Sequence, residues 1–437
     1  MIRVLLIILT SSLIGGCGGW FGKQLAKPVP GKRISVMSLV QSLKPNPKLA
    51  KVVVRLPGPF KNQNWPQAGG RPSHAMHHLS AGGDLNRLWE ADIGTGSSNN
   101  TQLITEPVIY NGRIYTMDVK ATVRALEAET GRTLWRVNIS QSDEDNKNFG
   151  GGLAVSNGKL FITTGLANVV ALDLKNGEIM WTRALNGPVR APPTIFKGRV
   201  FVLTIANELH ALSEVNGQTL WTHIGIAEMT GLLGGAAPAA KGSIVISAYS
   251  SGEIFALRIE NGRVVWSDSL TAIRRTSPIS ALAHIRGRPL IDNGHVIVTA
   301  NSGRTVSINL RTGARIWEKA VGSVNGPWIA GDFIYVLSGL GELLCLSRRT
   351  GGVRWVSQLQ RYEDEKTQEG PVYWTGPVLA GDRLLIGGSH KEVWSISPYN
   401  GSILGRIKVS GPVFIPPIVA NDTIYILSDN ARLLALR

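Results

Sequence analysis

Asn157 to Leu185 reads NGKLFITTGLANVVALDLKNGEIMWTRAL, short apolar runs broken by Gly and Asn. LFITT, VVALDL and EIMWTRAL are rich in β-branched and aromatic residues. The breaks between them fall at GLAN and NG, a pattern that predicts short strands. The two-residue turns Asn176-Gly177, Asn216-Gly217, Asn261-Gly262 and Asn400-Gly401 need positive φ, which Asn and Gly tolerate best, and so predict tight hairpins. Thr130-Gly131, Thr312-Gly313 and Thr350-Gly351 fill the same place, with Gly taking the left-handed position. A further strand fits upstream of each unit, as in PPTIF (Pro192 to Phe196) or GPVYWTGPVLA (Gly370 to Ala380). The predicted building block is a unit of four antiparallel strands.

The unit recurs along the chain. ALEAETGRTLW, ALDLKNGEIMW, ALSEVNGQTLW, ALRIENGRVVW, SINLRTGARIW and CLSRRTGGVRW end on Trp135, Trp181, Trp221, Trp266, Trp317 and Trp355. SISPYNGSILG is a degenerate member with Gly405 in the Trp position, and Trp89 marks one more. Self-similarity at this period sets the fold before local propensity is consulted. The expected fold is all-β, an eight-bladed β-propeller of four-stranded antiparallel blades over residues 84–437. LNRLWEADIG carries only the last strand of a unit, and IYILSDNARLLALR carries the second and third. Residues 85–94 should therefore complete the blade begun after Gly411, an N-terminal strand closing the ring and leaving no free edge. An open solenoid would need polar capping repeats, which the sequence does not supply. The recurring Trp is read as a packing residue between neighbouring blades.

Charge is unevenly spread. The net +16 divides into +11 over residues 1–83, which hold no Asp or Glu, and +5 over the rest. Residues 17–83 read as a basic, Pro-rich arm, and proline at that density points to an extended linker. Within it AKVVVRL (Ala50 to Leu56) could form one short edge strand. Two readings of the charge stay open, contact with anionic phospholipid or a solvated spacer. Nucleic acid is a poor partner for an exported chain.

Export is indicated by MIRVLLIILTSSLIGGCGG: one basic residue, Arg3, precedes an apolar run too short to span a bilayer, and small residues follow. Residues 1–16 are read as a signal peptide. Ile14-Gly15-Gly16-Cys17 resembles a bacterial lipobox, which makes Cys17 the candidate lipidation site for palmitate and related acyl chains. Gly18, rather than Asp, then favours sorting to the outer membrane.

Few residues suggest reaction chemistry. Cys345 stands where other units place Ala or Ser and is read as a small buried hydrophobe. His74, His77 and His78 are the sole histidine cluster; the spacing suits a metal, but no Cys or carboxylate lies nearby, and an ordinary loop is expected. Two loops are acidic, one with Asp143, Glu144 and Asp145, the other with Glu363, Asp364, Glu365 and Glu369. Contiguous carboxylates do not give the alternating oxygens of a calcium loop, so both are expected to be solvated. No nucleophile elbow, HExxH or phosphate loop occurs.

The phrase A-L-x-x-x-[TN]-G-x-x-x-W is similar to the PQQ-like, or quinoprotein-type, repeat. With the lipobox, the Pro-rich arm and NWPQAGGRPSHAMHHL (Asn64 to Leu79), the chain resembles the BamB family of propeller lipoproteins. That resemblance implies a non-catalytic scaffold of the outer-membrane β-barrel assembly (BAM) complex, lipid-anchored on the periplasmic face. The implied partners are the POTRA domains of BamA, other BAM lipoproteins and nascent outer-membrane β-barrel proteins, with the propeller itself monomeric. The corresponding docking loops are EMTGLLGGAAP (Glu228 to Pro238) and ISALAHIRGRP (Ile279 to Pro289), and the matching positions are Leu232, Leu233, His284 and Arg286. Better-known relatives carry Arg at the position of Leu233 and Asp at those of His284 and Arg286, so the patch differs in charge. Leu232 and Leu233 are either an interface anchor or local packing. No cofactor and no metal are expected. The competing readings are a periplasmic binding or sensor propeller with another partner, and a PQQ-dependent dehydrogenase. The second would need a central carboxylate and amide set for calcium, and many such enzymes also carry an adjacent Cys pair; neither is evident here.

Overall fold

The computed structural model describes residues 43–49, 51–140, 150–228, 230–271 and 282–437. They form eight four-stranded antiparallel sheets and one two-stranded hairpin, with one short 3-10 turn at Pro47–Leu49. Among the described residues no helix is long and apolar enough to cross a membrane. Blades 1 to 7 occupy residues 108–138, 152–184, 194–224, 239–269, 290–319, 328–358 and 374–408 in turn. Blade 8 joins Ile418–Ala420, Thr423–Ser428 and Arg432–Leu436 to Arg87–Asp92, which supplies its outer strand. Trp89 pairs with Ala435 and Asp92 with Arg432, so the N-terminal strand closes the ring as expected. First strands of successive blades pack on one another, and each therefore lies nearest the axis.

The repeat phrase has a direct structural meaning. Its small residue pairs across the sheet with the Trp: Ala125 with Trp135, Ala171 with Trp181, Ala211 with Trp221, Ala256 with Trp266. A register shift follows immediately, between Ala and Leu, and aims the indole sideways. Each indole then lies on the turn glycine of the next blade. A Cβ on Gly217 would meet the Trp181 ring at 2.6 Å, and one on Gly262 would meet Trp221 at 2.6 Å. Several indoles also donate to the next blade, Trp221 Nε1 to the Ile259 carbonyl at 2.8 Å and Trp317 Nε1 to that of Arg348 at 2.7 Å. Cys345 takes the small-residue position opposite Trp355 and is fully buried. Burial raises its thiol pKa well above the ordinary value.

Gly405 is explained by the seam. It pairs with Ser395 in blade 7, where the other blades place Trp. The next blade is the closing one, whose third and fourth strands come from opposite ends of the sequence and share no hairpin turn. A Trp there would have no turn glycine to cover.

The two faces of the ring differ. Turns joining strands one to two and three to four lie on one, the hairpin face. Turns joining strands two to three, and the connections between blades, lie on the other, the connection face.

Over residues 60–80 the structure differs from the expected extended linker. Trp65, Gln67, His74, Met76 and Leu79 are buried, because this segment fills the axial channel from the hairpin face. Each first strand leaves an unpaired edge toward the axis, and such edges need partners. The segment supplies them at one recurrent position, the penultimate residue of the strand. Ile109 exchanges both backbone hydrogen bonds with Trp65, and the amides of Val155, Ala240 and Ile291 donate to the carbonyls of Pro66, Pro72 and Ser73. The Ile195 amide donates to Gln67 Oε1 at 2.9 Å. Leu79 donates to the Leu379 carbonyl, and Asn62 Nδ2 to that of Val419. In blade 6 the contact is a side chain, Trp328 Nε1 donating to the His77 carbonyl at 2.8 Å, with the rings of Trp65 and Trp328 stacked. Ala50 to Leu56 forms no strand among its described residues and lies along blade 6, where Arg354 Nε donates to the Val52 carbonyl. The segment turns at Gly69-Gly70, with φ of 69° and 78°; a Cβ on either would strike the side chain of His74 or Met76.

The three histidines do not converge. His74 Nδ1 hydrogen-bonds the Pro289 carbonyl at 2.6 Å, His77 faces Asp292 of blade 5 at 3.5 Å, and His78 Nδ1 meets the Pro57 carbonyl at 2.8 Å. They are struts of the channel segment rather than the ordinary loop expected.

Candidate docking face

The two loops singled out in the sequence meet on the connection face, over blades 3 to 5. Leu232 N donates to His284 Nδ1 at 2.8 Å, which ties the loop after blade 3 to the loop after blade 4. The close approach is possible because Gly231 and Gly234 lack side chains: a Cβ on them would stand 3.1 Å from His284 Nδ1 and 2.8 Å from Arg286 Nε. His284 is buried, and its pKa is pushed down to about 4, first by burial and then by Arg286. A neutral ring with a free lone pair on Nδ1 is what the Leu232 amide requires.

Leu232 and Leu233 are half-buried at the edge of this contact. Arg286 is drawn inward beside Arg288, so burial first and the like charge second lower its pKa, while Glu106 opposes them. The structure thus brings Leu232, His284 and Arg286 together around Gly231–Gly234. It puts His284 and much of Arg286 beneath the surface and leaves the leucines nearer to it.

Next to this contact lies a groove of about 330 Å³, lined by Arg190, Ile205, Glu228, Thr230, Leu232 and His284 among others. Three isoleucines of blade 3 stand exposed on the same face: Ile205 in the turn between strands two and three, and Ile224 and Ile226 where the outer strand ends. Ile226 is held in place. Its amide donates to Glu253 Oε2 at 2.7 Å, and its carbonyl accepts from Asn207 Nδ2. Asn207 Oδ1 in turn accepts from Ser250 N and Oγ, both at 3.0 Å. Asn207 and Ser250, which line the groove, therefore belong to a fixed polar frame that spans blades 3 and 4 and holds Ile226. Sequence reasoning missed these isoleucines, since an apolar residue at a strand end reads as more strand. The signal available was Ile205, in a turn where the other units place mostly polar or small residues.

Asp143, Glu144, Asp145, Met229 and Ile279 to Ala281 lie outside the described residues, as do residues 1–42 with Cys17. The second acidic loop folds into a hairpin, Tyr362–Asp364 against Glu369–Pro371, with its carboxylates exposed. Among the described residues no group of three or more His, Cys, Asp or Glu could hold a metal ion. Above the channel segment lies a cavity of about 30 Å³, between Gly69, His74, Glu106 and Arg288.

Fold and repeat define the class, an eight-bladed propeller of the PQQ-like repeat type. The model of the family described as outer membrane protein assembly factor BamB matches residues 119–357 and 341–437, and the chain belongs to that family. It is 26% identical over 190 residues to outer membrane protein assembly factor BamB of Legionella pneumophila (strain Paris), covering 44% of this chain and 47% of the relative. The chain spans about half the length of the curated relatives it matches. Among solved structures, BamB from Moraxella catarrhalis aligns with a TM-score of 0.67 at 20% identity, covering 81% of this chain and 99% of that one. A europium-containing methanol dehydrogenase also aligns at 0.67, with 13% identity over 83% of this chain and 89% of that one. At such identities both show the fold alone.

Proposed function

We propose that this chain is a non-catalytic scaffold of the outer-membrane β-barrel assembly machinery, anchored through acylated Cys17 and working from the periplasmic face. The proposed partners are the POTRA domains of BamA and companion lipoproteins, and through them nascent β-barrel proteins. The observation that carries this reading is the fixed apolar site on the connection face, where Leu232 and Ile205 line a groove, Leu233 follows Leu232 in the same loop, and Ile224 and Ile226 stand exposed on the same face. Apolar side chains held on a rigid frame, with polar surroundings, suit the core of a protein interface. In this reading Leu232 and Leu233 make contact, while His284 and Arg286 position the loop that carries them. The acyl chains raise the effective concentration of scaffold near its partner without further contacts.

The test is capture of the full-length chain from native membranes in mild detergent, with mass spectrometry of what co-elutes. BamA and its companion lipoproteins should be recovered with the wild type and lost with a Leu232→Asp, Leu233→Asp variant of unchanged melting temperature. Metabolic labelling with palmitate should mark the wild type and not Cys17→Ala. Failure to recover BamA with a well-expressed, acylated chain would overturn the reading and favour a propeller with another partner.

A further inference from the structure

The axial channel is built as a peptide site. Inner-edge groups of all eight blades are met by one segment, seven of them at the equivalent backbone position. A spacer that had merely fallen against the ring would not find the same residue of successive blades. The contacts also carry side-chain selectivity. Trp65 is buried against Trp328 with ring centroids 6.5 Å apart, and the Gln67 side chain satisfies a blade amide that no backbone carbonyl reaches. The Gly69-Gly70 turn fits only without side chains. The mouth on the connection face is closed by an ion pair between Glu106 and Arg288.

We propose that the channel is a binding site for an extended peptide with a tryptophan followed by a glycine turn, and that the chain carries its own ligand as residues 57–83. Main-chain bonds to strand edges supply affinity, and the Trp65 and Gln67 positions supply specificity, as in peptide recognition by β-augmentation. The covalent link makes binding intramolecular and holds the site filled. The segment then acts as an axle: it bonds to blades that do not otherwise touch, and its loss would loosen the ring as a whole.

The experiment uses the full chain with a site-specific protease sequence inserted between Gly83 and Asp84, both exposed, with open space around Gly83. After cleavage of the folded protein, the segment should stay with the ring through gel filtration at micromolar concentration. Because the cut complex is held by binding alone, its melting temperature should rise with protein concentration and with added synthetic peptide 57–83; the uncut protein should show neither effect. A Trp65→Ala version should bind about tenfold more weakly or worse, and be released on the column. Release of the wild-type segment with no change in ring melting would overturn the proposal. So would equal retention of the Trp65→Ala segment, or a melting temperature indifferent to added peptide. Cutting after folding keeps the test decisive even where a ring made without the segment cannot fold.

Discussion

Glu106 and Arg288 form an ion pair across the propeller axis, although they precede the first strands of blades 1 and 5, on opposite sides of the ring. Both are largely buried, and Arg286 lies close enough to feel both charges. One carboxylate thus serves two guanidinium groups. Glu106→Gln should leave two like charges unpaired in a closed space and cost about 3 kcal/mol. Arg288→Gln should cost less, about 1–2 kcal/mol, because Arg286 remains to balance Glu106. Denaturant unfolding of both variants measures the difference, and the reverse order would contradict this account of the cluster.

Two glycines of the repeat phrase, one in blade 3 and one in blade 7, should respond in opposite ways to alanine. Gly217 has a φ of 70° and would press a methyl group into Trp181 at 2.6 Å. Gly217→Ala is expected to lose about 2 kcal/mol or more through strain and displaced packing. Gly405 has open space around its Cβ position and lies in a strand at the seam. Gly405→Ala should be neutral, or more stable by roughly 0.5 kcal/mol, because glycine weakens a strand interior. Thermal unfolding of the pair checks whether the Trp-on-glycine contact, rather than the turn sequence, holds the blades together.

Acid should loosen the channel segment. Burial first, then the Arg288 charge, push the His74 pKa down to about 3, against an ordinary value of 6.5. The unfolded chain therefore binds a proton that the folded chain refuses. Stability is complete above pH 6.5 and falls as pH drops through the window from 6.5 to about 3, by about 1.4 kcal/mol for each unit. His284, pushed down to about 4, adds in the same direction. His74→Asn keeps a donor for the Pro289 carbonyl and tolerates the left-handed backbone at this position, φ 59°. Its stability should fall less steeply between pH 6.5 and 4.5 than that of the wild type. Superimposable pH profiles would remove His74 as the source.

What could be read in the sequence, and what could not, follows from how each part is stabilised. The blades are local: Ala211, Gly217 and Trp221 lie within eleven positions and recur, so their spacing exposes strand, turn and packing together. Even the exception at Gly405 was visible, though its cause needed the seam. The channel segment has no such period. Its hydrogen bonds go one or two at a time to many different strands, so neither alternation nor helical spacing develops, and its prolines suggest a free linker. His74 and His77 look like a ligand cluster but hold left-handed backbone positions beside the first strand of blade 5, each with its own partner, Pro289 and Asp292. Trp65, which stands outside the repeat position, was the one hint that this stretch is buried. On the candidate docking face, the loops carrying Leu232 and His284 could be named from the family resemblance. That their link is an amide donating to a buried, neutral imidazole could not, since it depends on Gly231 letting two loops from different blades meet.

The exposed isoleucines at the end of blade 3 should matter for capture and not for folding. Ile224 and Ile226 are 67% and 62% exposed, so changing them removes little buried area. Ile224→Asp with Ile226→Asp should therefore shift stability by no more than about 0.5 kcal/mol for each. If the connection face is the docking site, the same double variant should weaken partner capture about tenfold or more, because an interface core tolerates charge poorly. Val215 is the matched control. It is 73% exposed on the same blade, but in the turn between strands three and four, on the hairpin face. Val215→Asp should capture partner as well as the wild type. Equal loss from both variants would point to nonspecific apolar adhesion, and no loss from either would move the interface away from blade 3. The pattern expected for a true docking face is loss with Ile224 and Ile226 alone, at constant melting temperature.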